Sequence, residues 1–200
     1  MLPRLLSIVA LTATLVSLPA WAATLAPGTA EHYLSAQQAL RNGDHNRARR
    51  ELELAANGGL VEAQLQLAKQ LPAKRAEPWL RRAVRGGSLA AAESLAQLYY
   101  QRAAYRRAAQ CWLLAAHSGR SQAQARLGAL QVVGLGLPKD IEQAYAWLNL
   151  AASAGDADVI SLRDGLESNL STEQLHAAQR RSRELPAAMP NIAGEPACGE

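Results

Sequence analysis

Phenylalanine is absent from this chain of 200 residues, and all aromatic side chains together make up 4% of it. A β-sandwich draws on aromatic and β-branched residues to fill its pleated faces, so this composition argues against one. The hydrophobic fraction of 49% is raised by alanine, which suits helices packed with their backbones close together. The spacings that carry catalysis are missing as well. There is no C-x-x-C, H-E-x-x-H, S-x-x-K or G-x-S-x-G, and Gly119-Arg120-Ser121-Gln122-Ala123 lacks the second glycine of the last. His32, His45, His117 and His176 occur singly, so nothing in the sequence gathers a metal site. The carboxylate pairs Asp140/Glu142 and Asp156/Asp158 sit beside expected helix starts, where the helix dipole favours them without any acid–base role. No catalytic residue, cofactor or metal is expected, and the chain reads as non-enzymatic.

What the chain does contain is a repeat. Gly59, Gly87, Gly119 and Gly155 serve as anchors, spaced 28, 32 and 36 residues apart. Eleven residues before them stand Ala48, Ala76, Ala108 and Ala144; seven before, Leu52, Leu80, Trp112 and Leu148; four before, Ala55, Ala83, Ala115 and Ala151. After the first three anchors, Ala63, Ala91 and Ala123 follow at four residues, and Ala68, Ala96 and Gly128 at nine. A helix pair cannot bury its apolar face alone, so such units stack. The small columns let helices approach closely, and the Leu/Trp column fills the space between layers. The clearest unit is Leu127 to Gly155: Leu127, Leu130, Gln131 and Gly134 keep one helix face, and Gly134, Gly136 and Pro138 stop that helix. Ile141, Ala144, Tyr145, Leu148 and Ala152 then form the face of a second helix, closed by Gly155.

The stretch GLGLPKDIEQAYAWLNLAASAGD resembles the second half of a Sel-one-like repeat, a tetratricopeptide-related family. The positions that carry the resemblance are Ala123, Leu127, Gly128, Gly134, Gly136, Leu137, Asp140, Ala144, Trp147, Ala151, Ala152 and Gly155; Gln131 stands at the family's tyrosine. The two upstream units are shorter and lack the G-x-G turn, with Asn42-Gly43-Asp44 and Leu71-Pro72 in its place. The resemblance implies an all-α fold, a right-handed α/α solenoid of about four helix-turn-helix repeats with a C-terminal capping helix pair.

Met1 to Ala22 reads as a cleaved signal peptide: Arg4, then an apolar run from Leu5 to Leu18, then Ala20-x-Ala22. An uncleaved anchor is the alternative, although the run is short against the roughly 20 residues of a membrane span. Residues 23–28 read as a linker, 29–185 as the repeat domain and 186–200 as a disordered tail. Helices are expected over Thr29 to Arg41, from Asp44 to about Asn57, over Val61 to Gln70, and around Trp79 to Val84 with Pro78 near the first turn. Two closing helices are expected, Asp156 to Ser168 and Thr172 to Glu184, the second with a capping box from Ser171 and Gln174. Cys111 reads as a buried free thiol with Cys198 loose in the tail; a bridge between them and a dimer through Cys198 are the alternatives.

Without Arg4 the net charge is +3. The arginines cluster at Arg47, Arg49, Arg50; Arg81, Arg82, Arg85; Arg102, Arg106, Arg107; and Arg180, Arg181, Arg183. They read as solvated faces with cations near helix C-termini; an acidic partner, such as anionic glycan, anionic lipid or an acidic protein patch, is the other reading. Export argues against nucleic acid, and the mature chain is expected not to span a membrane. Gln37, Gln64, Gln97 and Gln124 are candidate partner-binding residues on the first helices of the repeats, where amides could hydrogen-bond a peptide backbone. The resulting expectation is a periplasmic scaffold that binds a partner protein or peptide in an envelope assembly, which the resemblance places in exopolysaccharide secretion, a flagellar motor or envelope signalling. A cell-wall enzyme, or a binder of muropeptide or β-lactam, is the alternative; the cysteine pair per repeat of such relatives is missing here.

Overall fold

The computed structural model describes residues 25–185 and Cys198. The expected signal peptide, and the expected tail apart from Cys198, lie outside the described residues. Ten α-helices follow one another: α1 Thr29–Arg41, α2 His45–Asn57, α3 Val61–Lys69, α4 Ala73–Arg85, α5 Leu89–Gln101, α6 Tyr105–His117, α7 Ser121–Val133, α8 Ile141–Ala152, α9 Ala157–Glu167 and α10 Thr172–Glu184. Consecutive helices pack on each other through α9, and α10 turns back onto α8. The chain is an all-α helical-repeat solenoid: α1/α2, α3/α4, α5/α6 and α7/α8 are four repeats, each a first helix A and a second helix B. α9 opens a fifth repeat, and α10 lies over the B helix of the fourth.

The repeat columns are the core. None of the alanines eleven and four residues before an anchor, nor Leu52, Leu80, Trp112 and Leu148, is more than 5% exposed. The anchors Gly59, Gly87, Gly119 and Gly155 all have positive φ, as their place after helix B requires. The turn itself repeats. The N–H of Leu60, Ser88 and Arg120 donates to the carbonyl of Ala55, Ala83 and Ala115 at 3.1, 2.9 and 3.2 Å. These bonds satisfy carbonyls that the ended helix leaves open.

Side chains set the helix starts. Asp44, Ser88, Asp140 and Asp156 accept from backbone N–H groups of the following first turns. Ser171 and Gln174 complete the expected capping box. The unequal spacing of the anchors also has a local cause. α3 has 9 residues where α5 and α7 have 13, so it is one turn shorter and keeps the same face toward the core. The connection from α7 to α8, residues 134–140, is four residues longer than the three-residue connection from α5 to α6.

Four expectations are corrected. Pro78 lies inside α4, not near its first turn, because Pro72 supplies the N-cap and the helix begins at Ala73. Pro78 therefore withholds one internal hydrogen bond from the carbonyl of Lys74. The linker residues Leu25 and Ala26 belong to the fold: Leu25 packs on the first repeat, and the N–H of Ala26 donates to Gly58 at 3.0 Å. Cys111 is not free but bonded to Cys198, which fixes that point of the tail on α6. Finally, only some of the clustered arginines stand near helix C-termini. Arg82 and Arg85 stand in the last turn of α4, and Arg181 and Arg183 in that of α10, but Arg47, Arg106 and Arg107 stand in first turns.

Candidate partner-binding surface

The A helices present one set of positions outward. Seven residues after each anchor stand Gln66, Ser94, Arg126 and Leu162, and Leu34 holds the matching place in α1. Leu34 is 66% exposed and Leu162 41%, so this surface has apolar side chains at both ends and polar ones between. It includes a groove of about 430 Å³ between α7 and α9. Gln122, Ala125, Arg126 and Ala129 form one wall; Asp156, Asp158, Val159 and Leu162 form the other; Leu148, Ala151 and Ala154 make the floor. Small residues keep the floor low. Arg126 and Asp158, on opposite walls, are exposed and make no ion pair among the described residues.

The four candidate glutamines divide. Gln64 and Gln124 are 6% and 7% exposed, which overturns the outward placement expected of them. Their side-chain N–H groups donate to Ala56 and Ala116 at 3.2 and 3.0 Å, each on the carbonyl of a helix end eight residues back. They hold the joint between one repeat and the next. Gln37 and Gln97 remain half-exposed on the A helices. Gln37 donates to Gln66 at 2.9 Å, linking α1 to α3. Leu34, Arg126 and Leu162 escaped the sequence reading, although their shared distance from the anchors was a usable signal.

The repeat-defining residues fall where their chemistry requires. Leu127, Ala144, Trp147, Ala151 and Ala152 are buried. Gly128 lies against α8, where a Cβ would come within 2.6 Å of Leu148 Cγ. Gly134 caps α7 in the left-handed region. At Gly136 a Cβ would meet the backbone of Tyr105 and Arg106, so this turn packs directly on the start of α6. The Asp140 carboxylate accepts from the N–H of Gln143 at 2.9 Å and from Arg181 at 3.0 Å, joining the start of α8 to α10.

Polar bridges stiffen the stack. Glu77 accepts from Arg81 at 2.8 Å, Arg102 at 2.6 Å and the Tyr99 hydroxyl at 3.3 Å, tying α4 to α5. Partial burial works to raise the Glu77 pKa, but the hydrogen bonds and charges of Arg102 and Arg81 outweigh it and hold the carboxyl below its usual range. Tyr145 donates to Glu167 at 3.0 Å between α8 and α9, the same pair of places with donor and acceptor exchanged. A small cavity of about 60 Å³ lies under Leu185, walled by His117, Gln124, Trp147 and Leu150 among others. His117 meets the Trp147 ring edge-on at 5.3 Å, and burial pushes its pKa down. Among the described residues no three His, Cys, Asp or Glu side chains converge as metal ligands, and no helix is long and apolar enough to cross a membrane.

Comparison with known proteins agrees with this architecture. Residues 121–156, which span α7 and α8, match the Sel1 repeat family model. No curated protein matches the chain. Among solved structures, a protective antigen of uropathogenic Escherichia coli strains that displays an SLR fold is 26% identical, with a TM-score of 0.66 over 84% of this chain. The match takes in only 42% of that antigen, so this chain spans less than half its length. A Sel1 repeat protein from Oxalobacter formigenes is 19% identical, with a TM-score of 0.60 over 78% of this chain and 73% of that one, a likeness of fold. Residues 121–156 thus resemble a Sel1 repeat, and the chain around them has the fold of an SLR-type α solenoid. Such repeats generally serve as non-catalytic scaffolds for protein interaction.

Proposed function

We propose that this chain is an exported, non-enzymatic adaptor that holds an extended segment of a partner protein in an assembly of the cell envelope. The observation that carries the reading is the open groove between α7 and α9. Ala151 and Ala154 in its floor leave room for a peptide backbone, and Arg126 and Asp158 offer opposite charges from its two walls. Leu162 supplies an exposed apolar contact beside them. Export is supported by the apolar Leu5 to Leu18 run with Ala20-x-Ala22 after it. The Cys111–Cys198 bridge fits the same compartment, because such bonds persist where thiols are not kept reduced.

The test is a cross-linked capture of the full chain in its native envelope, beside an Arg126→Glu/Leu162→Asp variant. One or two saturable protein partners, lost in the variant, are expected. Partners retained by the variant would move the contact away from the groove. No protein partner, with saturable binding of a muropeptide instead, would replace the adaptor reading with a cell-wall ligand.

A further inference from the structure

The three B helices α2, α4 and α6 carry an outward stripe of cations in strict repeat register. Twelve residues before the anchors Gly59, Gly87 and Gly119 stand Arg47, Arg75 and Arg107. Lys74 and Arg106 stand one residue earlier in their helices, and Arg50, Arg82 and Arg85 lie on the same outward side. All eight are exposed, and none makes an ion pair among the described residues. The arginines that do pair with carboxylates, such as Arg81, Arg102, Arg120 and Arg181, are other ones. At a step of 100° per residue, Glu77 lies about 160° from Arg75, whereas Glu51 and Glu53 of α2 stand nearer the stripe, Glu51 held at 2.8 Å by His32 Nδ1, so cations outnumber acids on this side.

The placement runs against helix stability. Arg47, Lys74, Arg75, Arg106 and Arg107 occupy first turns, where the dipole disfavours cations, and none of these three helices has an acid in that turn. α8 obeys the usual preference: Glu142 and Gln143 hold the corresponding places, and Arg181 of α10 reaches over to pair with Glu142 at 3.3 Å. The stripe thus runs over three repeats and stops where α10 covers the fourth. Repeated cations that cost helix stability and neutralise nothing within the chain call for an anion outside it.

We propose that this face docks the protein on an anionic phospholipid bilayer. With cations on each of three helices, the face presents a broad grid rather than a single line. The face also holds apolar groups: Leu54 is half-exposed between the rows, and Trp79 lies under the Arg82 guanidinium at 4.9 Å. Apolar side chains among cations suit the boundary between headgroup and acyl chain. They suit a nucleic acid less, since the described residues offer no ladder of exposed aromatic rings for base stacking. This surface lies on the B helices, away from the groove of the A helices, so the inference does not rest on the adaptor reading.

The full chain, expressed with its own N-terminal residues and purified after export, is titrated with vesicles of phosphatidylcholine and with vesicles rich in phosphatidylglycerol, at low and at physiological salt. Binding to the anionic vesicles alone is expected, weakening as the Debye length shortens to about 8 Å. The triple variant Arg47→Gln/Arg75→Gln/Arg107→Gln should bind on the order of 100-fold more weakly. Its melting temperature should equal or exceed the parent's, since cations leave the first turns of helices, so the loss cannot be laid to unfolding. Equal binding to both vesicle types, full affinity in the triple variant, or binding of an anionic glycan or nucleic acid with none to anionic vesicles would each overturn the proposal.

Discussion

Cys198 is bonded to Cys111, a residue with no exposed surface in the middle of α6 and 87 positions earlier in the chain. A cross-link over that separation restricts the unfolded chain strongly, and Cys198→Ser should lower stability by about 2–5 kcal/mol. Cys198 is the better site to change, because Cys111→Ser would bury a hydroxyl as well. Thermal melts with and without reductant check the expectation: the parent should fall to the variant's melting temperature when reduced. A melt indifferent to reductant would mean that the bond carries no stability.

Gly128 and Leu148 set the distance between α7 and α8. A Cβ at 128 would also come within 3.1 Å of the Ala144 carbonyl, so the pressure falls on backbone as well as on a side chain. Gly128→Ala should cost about 1–3 kcal/mol, despite the better helix propensity of alanine. Denaturant unfolding measures it; a stabilised variant would mean that the two helices can separate at little cost.

Ala103 is the single described non-glycine residue with positive φ, at 56°. It turns the chain from α5 into α6, where the N–H of Ala104 donates to Tyr99 at 2.9 Å. Gly43 makes the same turn in the first repeat. Ala103→Gly should therefore raise stability by about 1 kcal/mol, since an L-residue pays for the left-handed region and glycine does not. A gain of roughly 2–4 °C in melting temperature is the readout.

Gln124 separates a structural role from a binding one. Replacing it by leucine keeps its bulk but removes one of two donors from the Ala116 carbonyl, which retains the N–H of Gly119 at 3.0 Å, at a cost of about 0.5–1.5 kcal/mol. At temperatures well below the melt, partner capture by Gln124→Leu should match the parent's. Lost capture with unchanged stability would return Gln124 to the binding surface.

His117 gives the fold a mild acid sensitivity. Burial holds its pKa below the ordinary value, partly opposed by the backbone of Leu185. A depressed folded-state pKa contributes stability that is complete above the unfolded value of about 6.5 and is lost as pH falls through the folded one. Melting temperature should thus decline below about pH 6.5, and His117→Phe should flatten that decline. An identical slope in the variant would assign the effect elsewhere.

Much of this fold was legible because its periodicity is carried by small residues. Ala48, Ala76, Ala108 and Ala144 recur at one distance from glycines that need positive φ, and both facts read directly as packing and turns. The helix from Thr29 to Arg41 and the caps Asp44 and Ser171 were visible for similar local reasons. What escaped depends on three-dimensional context. Gln64 looks like a surface amide until the end of α2 supplies a carbonyl for it. Pro78 looks like a helix start until Pro72 claims that place. Cys111 and Cys198 have no local pattern that pairs them. The groove was hidden because its walls, α7 and α9, are joined only by the return of the chain through α8.

The two edges of the stack differ in what they tolerate. On the edge where B helices end, each of the four repeats turns on a glycine of positive φ, and in the first three it stands at a fixed count from the alanine that accepts the closing bond. On the other edge the chain has already lost a turn of α3 and gained four residues between α7 and α8 without disturbing a buried column. One edge behaves as a hinge line with fixed stitches, the other as slack cloth. A tag, a fluorophore site or a foreign epitope spliced at Gln70–Leu71 should leave the molecule's outline intact, whereas the same splice at Gly87–Ser88 would pull the neighbouring layers out of alignment.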